Sequence, residues 1–261
     1  MRLSRPDPFT GLAAAFSILI LAFILLPLVE MVTQPTLGDM TAAMQDRDVL
    51  NAIGLSMGTA TLAGTIALVL GTPFAYLLAR RNFPGKKMVE SCVDLPIMIP
   101  HPVIGIALLS LAGKNHWIGR TLAEAGIRLM GTTTGIVAVM LFVGLPFFIN
   151  AAKAGFEAVP ARMENVGRSL GASPASAFFR ITLPLTWRSM VVGMIMCMAR
   201  AISEFGAIVI VAYHPMVAPV MIYERFTAYG LKYSQPVAVW LILVCLVLFI
   251  LLRLFARPER D

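Results

Sequence analysis

Four sets of residues in the 261-residue chain have types and spacing that could do chemistry. Gly167-Arg168-Ser169-Leu170-Gly171 has the form G-x-S-x-G, in which a tight strand-to-helix turn exposes a nucleophilic serine. That chemistry needs a strand before the motif, and an acid and then a histidine after it. Here the preceding residues read as a helix starting at Pro160, and the only later histidine, His214, falls beyond another apolar segment. The residues therefore speak against a nucleophilic hydrolase, and no catalytic residue is assigned. His101, His116 and His214 share no helical spacing and stand in no HExxH frame or carboxylate set, so no metal site is assigned. Gly85-Lys86 is followed by Lys87, and Arg80 stands where a P-loop needs its first glycine. The chain has no such route to ATP of its own, and no cofactor is expected in it.

The fourth set is Arg200 and Glu204, one helical turn apart in an apolar stretch. Two charges there cost roughly 5–7 kcal/mol to insert. The nine Val, Ile and Phe residues between positions 189 and 213 return only roughly 3–5 kcal/mol. Such a helix belongs inside a bundle or against a partner, with the two residues either lining a path or forming a structural i, i+4 pair. Pro96, Pro100 and Pro102 flank His101 and remove backbone donors from another apolar stretch, which predicts either a pathway or gating element or a kinked helix.

The elements that must position these residues are helices in a membrane. The chain is 58% hydrophobic and 13% charged, more apolar than a soluble core of this size requires. Six stretches are long enough to span, at about 11–33, 51–79, 91–112, 132–152, 189–213 and 236–255. The first is too long for a signal-peptide core and is expected to be a retained helix. Asp94 and Glu30 fall near span ends, and Gly54 and Gly58, followed by Gly64 and Gly71, predict close helix packing. Fourteen Lys and Arg lie in connections on the side of the N-terminus, including Arg2 and Arg5, against six on the other side, including Lys114. This bias predicts both termini, and residues 153–188, in the cytoplasm. The net charge of +7 is thereby explained by topology, and nucleic-acid binding is not expected. Cys92, Cys197 and Cys245 are far apart in apolar segments and read as buried thiols.

Residues 153–188 carry the densest punctuation. Pro160 suits a first helical position, Gly171 the left-handed residue after a helix end, and Ser173-Pro174 a cap followed by a first-turn proline. Pro184 predicts a stop or bend. Two short helices around a tight turn are expected. At the outer connection, residues 214–235, with Tyr223, Phe226, Tyr229 and Tyr233, are expected to fold back.

This interval resembles the coupling loop of permease subunits of ABC importers, whose pattern is Glu-Ala-Ala, three residues, Gly, nine residues, Ile, one residue, Leu-Pro. Gly171, Ile181, Leu183 and Pro184 fall at that spacing, while Asn165, Val166 and Gly167 occupy the Glu-Ala-Ala positions and Glu164 stands one residue earlier. Leu95-Pro96 through Pro102 to Leu109, Ala199-Arg200 through Glu204-Phe205-Gly206-Ala207, and the segment from Ala218 to Phe226 are similar to the branch importing molybdate, tungstate or sulfate, most of all molybdate/tungstate permeases.

The resemblance implies a single all-α domain over residues 1–261, not itself an enzyme, that moves oxyanions inward by alternating access. It implies a homodimer in the cell membrane, two ATP-binding subunits that hold ATP and Mg, and an extracytoplasmic binding protein. Glu164, Gly167, Leu170, Gly171, Ala172, Ser173, Pro174, Phe178, Ile181, Leu183 and Pro184 would form the coupling loop. Arg200, Glu204, Pro100, His101 and Pro102 are the candidates for the path. A sulfate or thiosulfate permease, an ATP-independent transporter or channel, and a membrane-embedded enzyme are the alternatives.

Overall fold

The computed structural model describes residues 8–113 and 115–256, and every regular element among them is helical. Arg2, Arg5, Lys114 and residues 257–261, which enter the charge count, lie outside the described residues. In chain order the first helices are α1 (Pro8–Thr33), α2 (Leu37–Gln45), α3 (Arg47–Arg80), α4 (Lys86–Met98), α5 (His101–Ala112), α6 (Trp117–Glu124) and α7 (Thr133–Ala158). They are followed by α8 (Ala161–Ser169), α9 (Pro174–Ala177), α10 (Leu183–Ile202), α11 (Ile208–Val211), α12 (Ala218–Tyr229) and α13 (Leu231–Ala256). Five helical stretches are long and apolar enough to cross a membrane, and the pair α4 and α5 makes a sixth if counted as one bent span.

Local chemistry sets many of the boundaries. Thr36 and Asp39 form a reciprocal capping box at the start of α2. Asp46 accepts from the Asp48 amide at the start of α3, and Thr132 accepts from the Gly135 amide at the start of α7. Left-handed Gly85 begins α4, and Gly230, with φ of 83°, separates α12 from α13.

The core is the packing of α3, α7 and α10, with Phe148 and Met140 fully buried. Small residues bring these helices together. A Cβ added at Gly71 would come within 2.6 Å of Phe148, one at Gly64 within 2.8 Å of Met198, and one at Gly144 within 2.6 Å of the Cys197 sulfur. Close packing therefore falls on Gly64 and Gly71, whereas Gly54 and Gly58 have open space beside them within the chain. The Ser56 hydroxyl accepts from the Ala218 amide at 2.8 Å, and Arg225 pairs with Asp46, so the α12–α13 hairpin is tied to the start of α3.

Three expectations are corrected. The stretch 189–213 is not one helix: α10 ends at Ile202, and residues 203–207 are irregular before α11. The stretch 91–112, by contrast, is broken where its prolines predict: it is two helices bent by 111°, with Pro100 capping α5 and Pro102 in its first turn. Pro184 stops nothing. A wider π-helical turn over Phe178–Thr182, closed by Leu183 N–H to the Phe178 carbonyl, carries α9 into α10 and leaves the proline in the first turn of α10. The shift in register supplies room for a residue that an unbroken α-helix resists. Cys92, expected to be buried, is exposed, while Cys197 is buried and Cys245 partly so.

Candidate functional site at a buried ion pair and two helix breaks

Residues 159–184 fold into one compact element. α8 ends in two linked backbone bonds, Gly171 N–H to the Arg168 carbonyl at 3.0 Å and Ala172 N–H to the Gly167 carbonyl at 3.1 Å. This geometry requires the left-handed φ of 93° at Gly171. Ser173 then accepts from the Ser176 amide at 3.1 Å and Pro174 opens α9. Gly167 lets α8 lie on Ile181, since an added Cβ would stand 2.6 Å from its Cδ1. Phe178 packs edge-on to Tyr76 at 4.9 Å, and Pro160 caps α8 one residue before the first helical position.

Glu164 anchors this element. Its side chain is 89% buried and accepts from the Tyr76 hydroxyl and the Arg80 Nε, each at 2.8 Å, while Arg80 Nη2 makes an ion-pair contact at 2.8 Å without hydrogen-bond geometry. Tyr76 and Arg80 lie one turn apart at the end of α3. Burial pushes the Glu164 carboxyl up, but hydrogen bonds, that of Tyr76 first among them, and the Arg80 charge outweigh it and hold the group below the ordinary glutamate value. Sequence spacing gave no sign of these partners, which lie 84 and 88 residues upstream. On the other side of α8, Met163, Val166 and Leu170 are exposed, Leu170 by 83%. Leu183 is half-buried and Pro184 exposed.

A second constellation forms where the two broken helices meet. An added Cβ at Gly206 would stand 2.8 Å from the His101 Cβ, and one at Gly105 would stand 2.9 Å from the Ala207 carbonyl oxygen. The break after α10 and the start of α5 are thus in backbone contact. Glu204 is fully buried between them. Its Oε1 accepts from the Ala207 amide at 2.9 Å, and its Oε2 lies 2.6 Å from His101 Nδ1 and 2.8 Å from Arg200 Nη2. Arg200 Nη2 also lies 3.1 Å from His101 Nε2. An Nδ1–H tautomer lets the ring donate to Glu204, while Arg200 Nη2, 2.8 Å from Nδ1 and 3.1 Å from Nε2, lies nearly equidistant from the two ring nitrogens.

Arg200 and Glu204 do pair, but not on one continuous helix, because Glu204 lies past the helix end. His101 joins them, which the prolines around it did not announce. The His101 side chain is 45% exposed, on a face shared with exposed Met196, Ala199 and Ser203. Polar groups of this kind facing hydrocarbon are costly, so this face is expected to border water or protein. Asp94 is placed apart, accepting from Asn150 at 2.8 Å.

Residues 71–260 match the sequence model of the binding-protein-dependent transport system inner membrane component. The chain belongs to this family. The matched region of this inner membrane component begins at Gly71 within α3 and contains both constellations, while α1 and α2 precede it. The chain is 42% identical to the Molybdate/tungstate transport system permease protein WtpB of Methanocaldococcus jannaschii, over 96% of this chain and 98% of that protein. It is 31% identical to the Sulfate transport system permease protein CysT of Synechocystis, over 77% of this chain and 72% of that one. Its fold is similar to a chain of a bacterial ABC transporter involved in the import of the acidic polysaccharide alginate, with a TM-score of 0.75 at 16% identity, over 97% of this chain and 96% of that chain.

Proposed function

We propose that this inner membrane component is the permease of an ATP-driven importer that carries molybdate or tungstate into the cell. The observation that carries the coupling part of this reading is the anchorage of α8 to the end of α3 through Glu164, Arg80 and Tyr76. A short element bolted to the longest helix of the core, with an apolar stripe turned outward at Met163, Val166 and Leu170, is suited to receive a push from a partner and pass it on as rigid-body motion. In this reading residues 153–188 face the cytoplasm with both termini, and α8, the Gly171 turn and α9 dock on an ATP-binding subunit that holds ATP and Mg. Two copies of the chain enclose the path, and an extracytoplasmic binding protein delivers the anion. The substrate is taken from the relatives: identity is higher and coverage more complete toward the molybdate/tungstate permease than toward the sulfate permease.

The test is uptake into vesicles carrying the assembled complex, with molybdate, tungstate and sulfate in competition. Molybdate and tungstate should displace each other at concentrations where sulfate does not, and uptake should require ATP. ATP-independent uptake would remove the importer reading, and preferential competition by sulfate would reassign the substrate.

A further inference from the structure

Resting on the reading of the chain as an oxyanion permease, the geometry points to a transient anion contact at Arg200, beside His101, whose strength is held down by Glu204. Glu204 acts as a built-in counter-charge: it lets the path present guanidinium donors to a passing tetrahedral dianion without presenting a net positive charge.

Three features of the break between α10 and α11 support this assignment. The first is unequal exposure: the His101 side chain is 45% exposed and that of Arg200 18%, while Glu204 is at 0%. An anion arriving on the open face meets the donors first and the carboxylate behind them. The second is donor capacity. A guanidinium has five N–H groups. Arg200 Nη2 serves Glu204 and His101, but Nη1 has only the Ser203 hydroxyl at 3.4 Å, and Nε has no partner among the described residues. The third is rigidity: Glu204 Oε1 is held by the Ala207 amide in its own loop, and Gly206 and Gly105 press that loop onto α5. The carboxylate cannot swing away as the anion arrives, so its repulsion acts on the anion throughout.

Arg200 and Glu204 cancel in formal charge. A path lined by an uncancelled arginine would hold a dianion and slow its release. A path with no donors would leave the anion without partners midway.

The test uses the full chain in lipid nanodiscs, with labelled molybdate retention measured at equilibrium. Wild type should bind weakly. Glu204→Gln should bind at least about tenfold more tightly, since one unit of like charge is removed at close range in a partly dried site. Vesicle uptake by the same variant should slow. Adding Arg200→Gln should abolish the gain. Unchanged affinity in a Glu204→Gln chain that melts with the wild type, or a gain that survives Arg200→Gln, overturns the proposal.

Should Glu204→Gln fail to assemble, Ser203→Cys reports on the same contact in an otherwise native cluster. Molybdate should slow its modification by a thiol reagent where chloride at equal ionic strength does not, and absence of protection at concentrations that saturate uptake overturns the proposal. If wild type imports neither molybdate nor tungstate, the substrate reading fails instead. The retention arms are then run with sulfate and phosphate, and the Arg200-dependent gain decides as before.

Discussion

Glu164 shows how much rests on single side chains. Removing it leaves the Arg80 guanidinium, whose side chain is 11% exposed, beside Tyr76 without its partner. Glu164→Ala should therefore cost about 3–5 kcal/mol, and Glu164→Gln, which keeps an acceptor for Tyr76, about 1–3 kcal/mol, both read from thermal unfolding in detergent. The carboxyl is held below its ordinary value of 4.5, so its contribution is fully present above that value and is lost as pH falls through the lower folded-state value. The stability gap between wild type and Glu164→Gln should stay constant from neutral pH down to the ordinary glutamate range and close only below it. A gap already closing at neutral pH would contradict the assignment. At Gly171 the constraint is conformational. Valine at a φ of 93° costs about 1–2 kcal/mol, and asparagine much less. Gly171→Val should depress ATP-coupled uptake while the chain still inserts, and Gly171→Asn should retain most of it.

Elements differ in how far they announce themselves. The turn at Gly171, the cap at Ser173-Pro174 and the break at Pro100 were legible because each is made by the residue that occupies it. The break at 203–207 was not, because its cause is tertiary. Glu204 captures the Ala207 amide and Gly206 lies against His101, a contact spanning about a hundred residues that no local spacing records. The ion pair of α8 with α3 was hidden for the same reason. These causes can be separated by substitution. Gly206→Val forces a side chain into the His101 Cβ and should cost about 1–3 kcal/mol. Gly54→Ala, with nothing within 4 Å, should instead stabilise the purified chain by about 0.5–1 kcal/mol through helix propensity. Equal effects at the two positions would mean that Gly54 is packed after all.

At the scale of the whole molecule, one face of α10 differs from the rest of the apolar exterior. Met196, Ala199 and Ser203 are exposed beside Arg200 and His101, whereas α1 exposes only apolar side chains around positions 18–29. With Cys92 replaced by alanine, cysteines at Met196 and Ala199 should react with a membrane-impermeant thiol reagent in the assembled transporter, and cysteines at Leu21 and Leu25 should not. The reverse pattern would place the α10 face in lipid and remove it from any path. The position of α1 has a consequence of its own. It is apolar on every side and buries almost nothing against the chain that carries it, its main neighbour being α13. Among the described residues little distinguishes one rotation of α1 about its axis from another, so the order of its apolar residues carries little structural information. Within one chain it should tolerate neutral drift among leucine, isoleucine, valine and phenylalanine, keeping only length and greasiness under selection, unlike α3, where a methyl group at Gly71 already has nowhere to go.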